Sequence, residues 1–304
     1  MTRLLVTGGS GLVGHALQQH TDAIFISSKD YDLTKDSDVH AMFEKHQPTH
    51  VIHLAGKVGG VGANLKYPVE FFEHNILMNT LVLKYSHLYN VEKVVSFMST
   101  CVFPNTVEYP IQPNKIHLGE PHFSNFGYAY AKRMLDIQTK AYNTQFGRKW
   151  FSIIPTNIYG PHDNFHLEDS HVIPALIHKC YLAKKNNTPL HIWGTGKAVR
   201  EFIHSYDIAK ITLWLLNNYT EDTPIILSRP DQVSIRNVVE LVVKYMGFEG
   251  EVIFDDTKPE GQERKPSDTT PLKALLPDYN YIPLEEGLQS TIEWFVNNYE
   301  GVRK

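Results

Sequence analysis

The chain has 304 residues, 42% of them hydrophobic and 20% charged, with a formal net charge of -4. That length buries about three quarters of the surface of an unfolded chain and suits one large α/β unit with an appended lobe. A slight negative balance without a concentrated basic tract argues against nucleic acid as the main ligand, while phosphate-bearing small molecules stay open. No apolar stretch approaches the roughly 18 residues of a membrane span, and nothing in the first residues reads as a signal peptide. The two cysteines, Cys101 and Cys180, make no disulfide framework, so the expected setting is reducing and cytoplasmic.

Short β-branched or apolar runs alternate with helix-length segments through the first half. Strands are expected at Arg3–Thr7, Ala23–Ser27, His50–Leu54, Val94–Met98 and Trp150–Pro155. The helices between them are expected at Leu12–His20, Ser37–His46, Val69–Tyr89 and Tyr128–Phe146. Strand then helix, repeated, predicts an α/β fold of the Rossmann type, a doubly wound parallel sheet with ligands outside the carboxyl ends of its strands. After Pro161 the rhythm loosens. Helices are predicted at Val172–Asn186, Asp207–Asn218, Ile235–Met246 and Leu284–Asn298, with strands at Leu190–Trp193, Pro224–Leu227 and Glu251–Phe254. The expected division is a cofactor-binding domain over 1–165, with segments near 198–230 returning to its sheet, and a smaller substrate-binding lobe over 166–304.

Three strand ends carry the chemistry. Gly8, Gly11 and Gly14 follow the first strand and open a helix, the context in which a glycine turn admits a pyrophosphate to the helix amino terminus; Leu12 sits in the same turn. The second strand ends in Ser27-Ser28-Lys29. A hydroxyl and a positive charge there favour a 2'-phosphate over a bare ribose, hence NADP(H) over NAD. Asp32 and Leu33, a few residues on, border the expected adenine position. The fourth strand ends in SFMSTCVFP, where Ser99 is placed to hold a substrate oxygen.

Tyr128 and Lys132 lie four residues apart in GYAYAKRM and so share one helix face. Moving a tyrosine from its ordinary value near 10 to about 7 takes roughly 4 kcal/mol of preferential phenolate stabilisation. A lysine ammonium and an oxidised nicotinamide are plausible sources of it. Such a pair also occurs by chance on solvated helix faces; the glycine turn upstream favours the active reading. No HExxH or paired CxxC appears, and His162, His166 and His171 fall in a loop-like stretch after Gly160-Pro161, so no metal is expected.

VTGGSGLVG, HVIHLAGKVGG, STCVFP, SNFGYAYAKRM, IPTNIYGPHDNF, HVIPALIHK, WGTGKAVREFIH and KPEGQERK together resemble the extended short-chain dehydrogenase/reductases, and within them the GDP-L-fucose synthase family, over essentially the whole chain. The resemblance implies 3,5-epimerisation of GDP-4-keto-6-deoxy-D-mannose and then NADPH-dependent reduction at C4, in a homodimer built on the two long helices. It implies Tyr128, Lys132 and Ser99 as the reductive group and Cys101 and His171 as the proton-transfer pair. Taken alone, Cys101 reads as a small buried side chain and His171 as a helix-start residue. It further implies Pro155, Asn157 and His171 around the cofactor, and Asn157, Lys179, Trp193, Arg200, Glu260 and Lys265 around the GDP-sugar. Lys179 stands where bacterial members carry arginine, and Glu260 where they carry aspartate. A 4,6-dehydratase or 4-epimerase would share the glycine turn and the Tyr-Lys pair, but dehydratases want an acidic pair where this chain has Cys101-Val102. A non-catalytic NADP-binding protein on the same fold is the remaining reading.

Overall fold

A computed structural model of the chain describes residues 2–257 and 263–304. In chain order the elements are β1 (Leu4–Thr7), α1 (Leu12–Gln18), β2 (Ile24–Ile26), α2 (Asp36–His46), β3 (His50–His53), α3 (Val61–Lys66), α4 (Pro68–Leu88), β4 (Lys93–Phe97), α5 (Phe126–Phe146) and β5 (Phe151–Pro155). There follow β6 (Asn157–Tyr159), α6 (Val172–Asn186), β7 (Leu190–Trp193), β8 (Val199–Arg200), β9 (Phe202–His204), α7 (Ser205–Asn218) and β10 (Ile225–Leu227). The chain ends through β11 (Val233–Ser234), α8 (Ile235–Met246), β12 (Val252–Asp255), α9 (Thr270–Leu275) and α10 (Leu284–Asn297).

Six strands form a parallel sheet in the order β10-β5-β4-β3-β1-β2. The chain steps outward from β1 to β2 and then returns past β1 to β3. The order reverses there, and in open α/β sheets the ligand crevice opens at that reversal, beyond the carboxyl ends of the strands. Alternate residues of the strands enter two separate cores, as a period of two requires. Leu5, Val51, Val94 and Ile154 pack under α2, α4 and α5 with Met42, Phe43, Leu83 and Trp150. Val6, Ile52, Val95 and Ile153 face α1 and α7 with Leu17, Ile208, Ile211 and Leu215. Covering both faces explains why these strands read as continuous apolar runs. Each such aliphatic side chain contributes about 1.5–3 kcal/mol by leaving water.

A third core belongs to α6, α8, α10, β7 and β12, around Phe165, Ile177, Val238, Leu288 and Phe295. β12 pairs parallel with β7 and β9 with β6, outside the main sheet. The helix α3 and the two-residue strands were not predicted. α3 is six residues long, followed at once by Pro68 at the first position of α4, too short to show a helical period.

Candidate active site

The turn after β4 brings the first functional groups together. Ser99 caps the single 3-10 turn Thr100–Val102, its Oγ accepting from the Cys101 amide at 3.3 Å. Tyr128, in the first turn of α5, is buried, and the nearby Ser99 hydroxyl favours its ionised form. Phe71 meets its ring edge-on, the centroids 6.4 Å apart. Ala63, Phe71 and Tyr128 pack as a small cluster against the half-buried Cys101.

Lys132, one turn along, is buried and donates to the Phe97 carbonyl at 2.9 Å, with Nζ 6.0 Å from the Tyr128 ring centroid. Burial brings its ammonium down to about 8. Burial, then the neighbouring Cys101, push the Tyr128 phenol well above its ordinary range, while the Ser99 hydrogen bond works against that rise. The protein therefore holds Tyr128 as a phenol, the form that gives a proton. From the sequence, the lysine and an oxidised nicotinamide together are expected to favour the phenolate; among the protein's own groups the balance runs the other way. Desolvation is the larger effect here, because Tyr128 sits in an apolar cluster and Lys132 is committed to a backbone carbonyl.

A layer beneath these groups had no signal beyond a lone histidine in an apolar strand. His53 Nδ1 accepts from the Thr7 hydroxyl at 2.8 Å, and its Nε2 donates to Asn79 Oδ1 at 3.0 Å. Burial and then the charge of Lys132 lower His53 to about 3, so it stays neutral. Asn75, one turn before Asn79 on α4, accepts from the Lys57 amide and donates to the Lys57 and Phe71 carbonyls. Two side chains of α4 thus hold the segment after β3 against the Tyr-Lys pair.

The glycine turn fits a dinucleotide on steric grounds. Gly8 has φ +74°, and a Cβ there would lie 2.8 Å from the Ala55 amide nitrogen. A Cβ on Gly14 would collide with the Gly8 and Gly9 carbonyl oxygens. Backbone rather than side chain lines this floor, and α1 starts after Gly11 with no side-chain cap, which leaves its first amides for an anion. At the end of β2, Asp30 accepts from the Ser27 amide at 2.8 Å and hydroxyl at 2.7 Å. Those bonds hold its carboxyl below the usual range. The acid is folded into its own turn, while Ser28 and Lys29 stand exposed. Asp32 is likewise taken up by Thr34 and Lys35, and Leu33 is in the core.

The carboxy-terminal lobe reaches the same place. Lys265 donates to the Thr100 carbonyl at 2.9 Å. Burial and the nearby Arg200 lower its ammonium; Cys101 opposes. Its neighbour Ser267 donates an amide to Glu201 Oε1 at 2.9 Å, and Glu201 Oε2 accepts from Ser228. The Glu201 carbonyl takes the Asn157 side-chain amide at 2.8 Å, which places Asn157 just beyond Pro155 at the end of β5. Glu201 is buried and was not singled out from sequence; its neighbours Arg200 and His204 make the segment REFIH read as an ordinary mixed one.

His171 caps α6 without a side-chain bond. The Gly60 amide donates to the Asp169 carbonyl at 2.8 Å, tying the loop before His171 to the segment after β3. The residue is exposed to solvent, with neighbouring protein close enough to desolvate the imidazole in part. That desolvation, then Arg303, hold it below the usual range. Trp193 is 62% exposed, with Lys179 Nζ 5.3 Å from its ring centroid, a flat face and a cation side by side. Glu260 lies outside the described residues. The other histidines of the cluster have separate partners: His162 stacks on His15 at 3.9 Å, and His166 Nδ1 accepts from the Glu168 and Asp169 amides.

Comparison with known proteins gives the family. The NAD dependent epimerase/dehydratase family matches residues 4–227. A GDP-L-fucose synthase of Dictyostelium discoideum is 51% identical over 99% of this chain and 97% of its own. A probable GDP-L-fucose synthase of Drosophila melanogaster is 40% identical over the full length of both. The crystal structure of a GDP-L-fucose synthetase from Naegleria fowleri bound to NADP superposes with a TM-score of 0.95 at 41% identity, covering 100% of this chain and 95% of that one. With a family match over most of its length and relatives of 51% and 40% identity across the whole chain, the chain belongs to the NAD dependent epimerase/dehydratase family.

Proposed function

We infer that this protein makes GDP-L-fucose, epimerising GDP-4-keto-6-deoxy-D-mannose at C3 and C5 and then reducing C4 with NADPH. The observation that carries the reading is the placement of a thiol, Cys101, against the buried Tyr128 and two residues from Ser99. A simple reductase needs only the tyrosine, serine and lysine. A 4-keto group acidifies the hydrogens on C3 and C5, and inversion needs an acid and a base beside them. Cys101 and His171 are the pair offered for that role. Removing either proton throws negative charge onto the C4 oxygen, so the Ser99 hydroxyl and Tyr128 phenol serve both halves by hydrogen-bonding that oxygen. NADPH supplies the hydride to C4 when bound. Tyr128 then gives its proton to the C4 oxygen, which its burial as a neutral phenol suits.

The cofactor would be held by Gly8, Gly11, Leu12 and Gly14, with Ser28 and Lys29 at the 2'-phosphate. Asp32 and Leu33 would flank the adenine, and Lys132, Pro155, Asn157 and His171 would lie toward the nicotinamide. Asn157, Lys179, Trp193, Arg200 and Lys265, with Glu260, would hold the GDP-sugar. Residues 1–165, with the segment near 198–230, form the cofactor side of this scheme, and 166–304 the substrate side.

Two further parts belong to the same proposal. Phe126, Tyr130, Met134 and Ile137 recur at helical spacing on α5, and Phe126, Tyr130 and Met134 line an apolar groove with Phe72 of α4. Phe126, Met134, Ile137 and Phe72 are exposed. This supports a homodimer through a four-helix interface; a monomer in light scattering at high concentration would remove it. Among the described residues no helix is long and apolar enough to cross a membrane. Both cysteines are free, which supports a cytoplasmic setting.

The deciding experiment gives the purified protein GDP-4-keto-6-deoxy-D-mannose and NADPH in heavy water. GDP-L-fucose carrying deuterium at C3 and C5 is the expected product. An unlabelled, uninverted 6-deoxyhexose would instead make the protein a 4-reductase and free Cys101 and His171 of these roles.

A further inference from the structure

Three cations converge on the short backbone segment that carries Ser99 and Cys101. Lys132 donates to the Phe97 carbonyl before the turn and Lys265 to Thr100 within it. The third is Arg133. Its Nε donates to the Val102 carbonyl at 2.6 Å and its Nη1 to the Gly119 carbonyl at 2.7 Å. Val102 closes the turn, its amide donating to the Ser99 carbonyl at 3.1 Å, so the carbonyl that Arg133 grips belongs to the residue directly after Cys101. Arg133 is only 4% exposed and lies beside the Tyr130 ring, 5.3 Å from its centroid.

The topology gives this contact its meaning. Tyr128, Lys132 and Arg133 all project from the first two turns of α5. Tyr128 and Lys132 reach the Ser99 side of the turn, and Arg133 reaches the Cys101 side. An arginine fork on two carbonyls is a directional, two-point clamp, which a lysine cannot reproduce because it offers a single point charge. Helix α5 therefore sets the position of the thiol relative to the phenol.

We propose that Arg133 is a positioning residue for Cys101, fixing the thiol for proton transfer at the sugar ring while leaving the hydride half of the reaction untouched. The proposal rests on the GDP-sugar reading given above. It makes the two half-reactions separable at a residue that contacts neither substrate nor cofactor.

The test compares Arg133→Met and Arg133→Lys with the native enzyme in three measurements. Deuterium uptake at C3 and C5 from heavy water reads the thiol's half. Oxidation of GDP-L-fucose by NADP+, followed by NADPH absorbance, reads the hydride half alone. Carbamidomethylation of Cys101 at constant pH, quantified on its peptide, needs no substrate; Cys180 is fully buried and serves as the internal control.

Arg133→Met is expected to cut deuterium uptake by about 10²-fold, the scale of a 1 Å misplacement of a reacting group. Its GDP-L-fucose oxidation should stay near native, and alkylation of Cys101 should rise about tenfold as the turn opens. Arg133→Lys, keeping charge and one donor, should recover part of the lost exchange. Native exchange and native alkylation in Arg133→Met would overturn the proposal, and so would equal loss of both half-reactions, which marks a general folding role. If the native enzyme shows neither half-reaction, the GDP-sugar reading fails, and unchanged alkylation in Arg133→Met would then sink the positioning role separately.

Discussion

The two halves of the site are built differently. Ser99, Tyr128 and Lys132 come from one strand end and the first turns of one helix; Tyr128 and Lys132 are buried, and Lys132 is hydrogen-bonded to Phe97. Cys101 and His171, the pair proposed for proton transfer, come from separate segments, the turn after β4 and the cap of α6. Hydrogen bonds between distant segments flank both: Lys265 on Thr100, Gly60 on Asp169, and Glu201 joining Ser267, Ser228 and Asn157. The reductive half is a local device that any well-packed α5 delivers. The proton-transfer pair proposed above draws on two segments far apart in the chain, and is expected to tolerate less change far from the chemistry.

Mutation of the shared acid should give the largest effect. Tyr128→Phe should lower GDP-L-fucose formation by about 10²–10⁴-fold, the usual worth of a positioned acid. Some deuterium exchange at C3 and C5 should persist, because the Ser99 hydroxyl still binds the C4 oxygen. Complete loss of exchange in that variant would merge the two halves. Cys101→Ala should do the reverse, cutting exchange by about 10²-fold or more while NADP+ still oxidises GDP-L-fucose at a near-native rate. Similar losses in both assays would erase the contrast.

Acid should attack the packed side of the comparison. His53 sits at about 3 and His204 at about 4, both lowered chiefly by burial. The unfolded chain takes up these protons as pH falls through about 6.5, whereas the folded chain refuses them until pH 4 and 3. Stability from these two sites is thus fully present above pH 6.5. It declines by about 1.4 kcal/mol per pH unit for each histidine as pH falls below that value. Urea midpoints measured between pH 7.5 and 4.5 should drop accordingly, and His53→Gln should flatten the slope. A midpoint independent of pH over that range would show that these imidazoles are not held neutral.

The smallest effect lies at the cofactor's far end. Lys29→Ala removes an exposed charge and should raise the KM for NADPH by up to about fivefold, the range of a solvent-screened ion pair. The KM for NADH should not move. An equal rise for both cofactors would place Lys29 away from the 2'-phosphate.

Much of this was legible beforehand because it is local. The glycine turn directly after an apolar run, the strand ends at Ser27 and Phe97, and the four-residue spacing of Tyr128 and Lys132 are short-range patterns whose backbone consequences follow from sterics and helical period. The long helices and buried strands appeared within a residue or two of their predicted bounds. α3, the two-residue strands and α9 did not, since pieces of two to six residues show no period and owe their form to the surfaces they meet.

What the sequence by itself determined was the identity of the groups and the order of strand and helix that carries them to one edge of a sheet. Only the tertiary structure decided their state. Desolvation in the cluster with Ala63 and Phe71 raises the Tyr128 phenol, His53 is neutral because it is buried beside Lys132, and Arg133 and Lys265 take hold of a turn they are distant from in the chain. Burial and charge act through space between residues tens to more than a hundred positions apart, so no spacing along the chain encodes them.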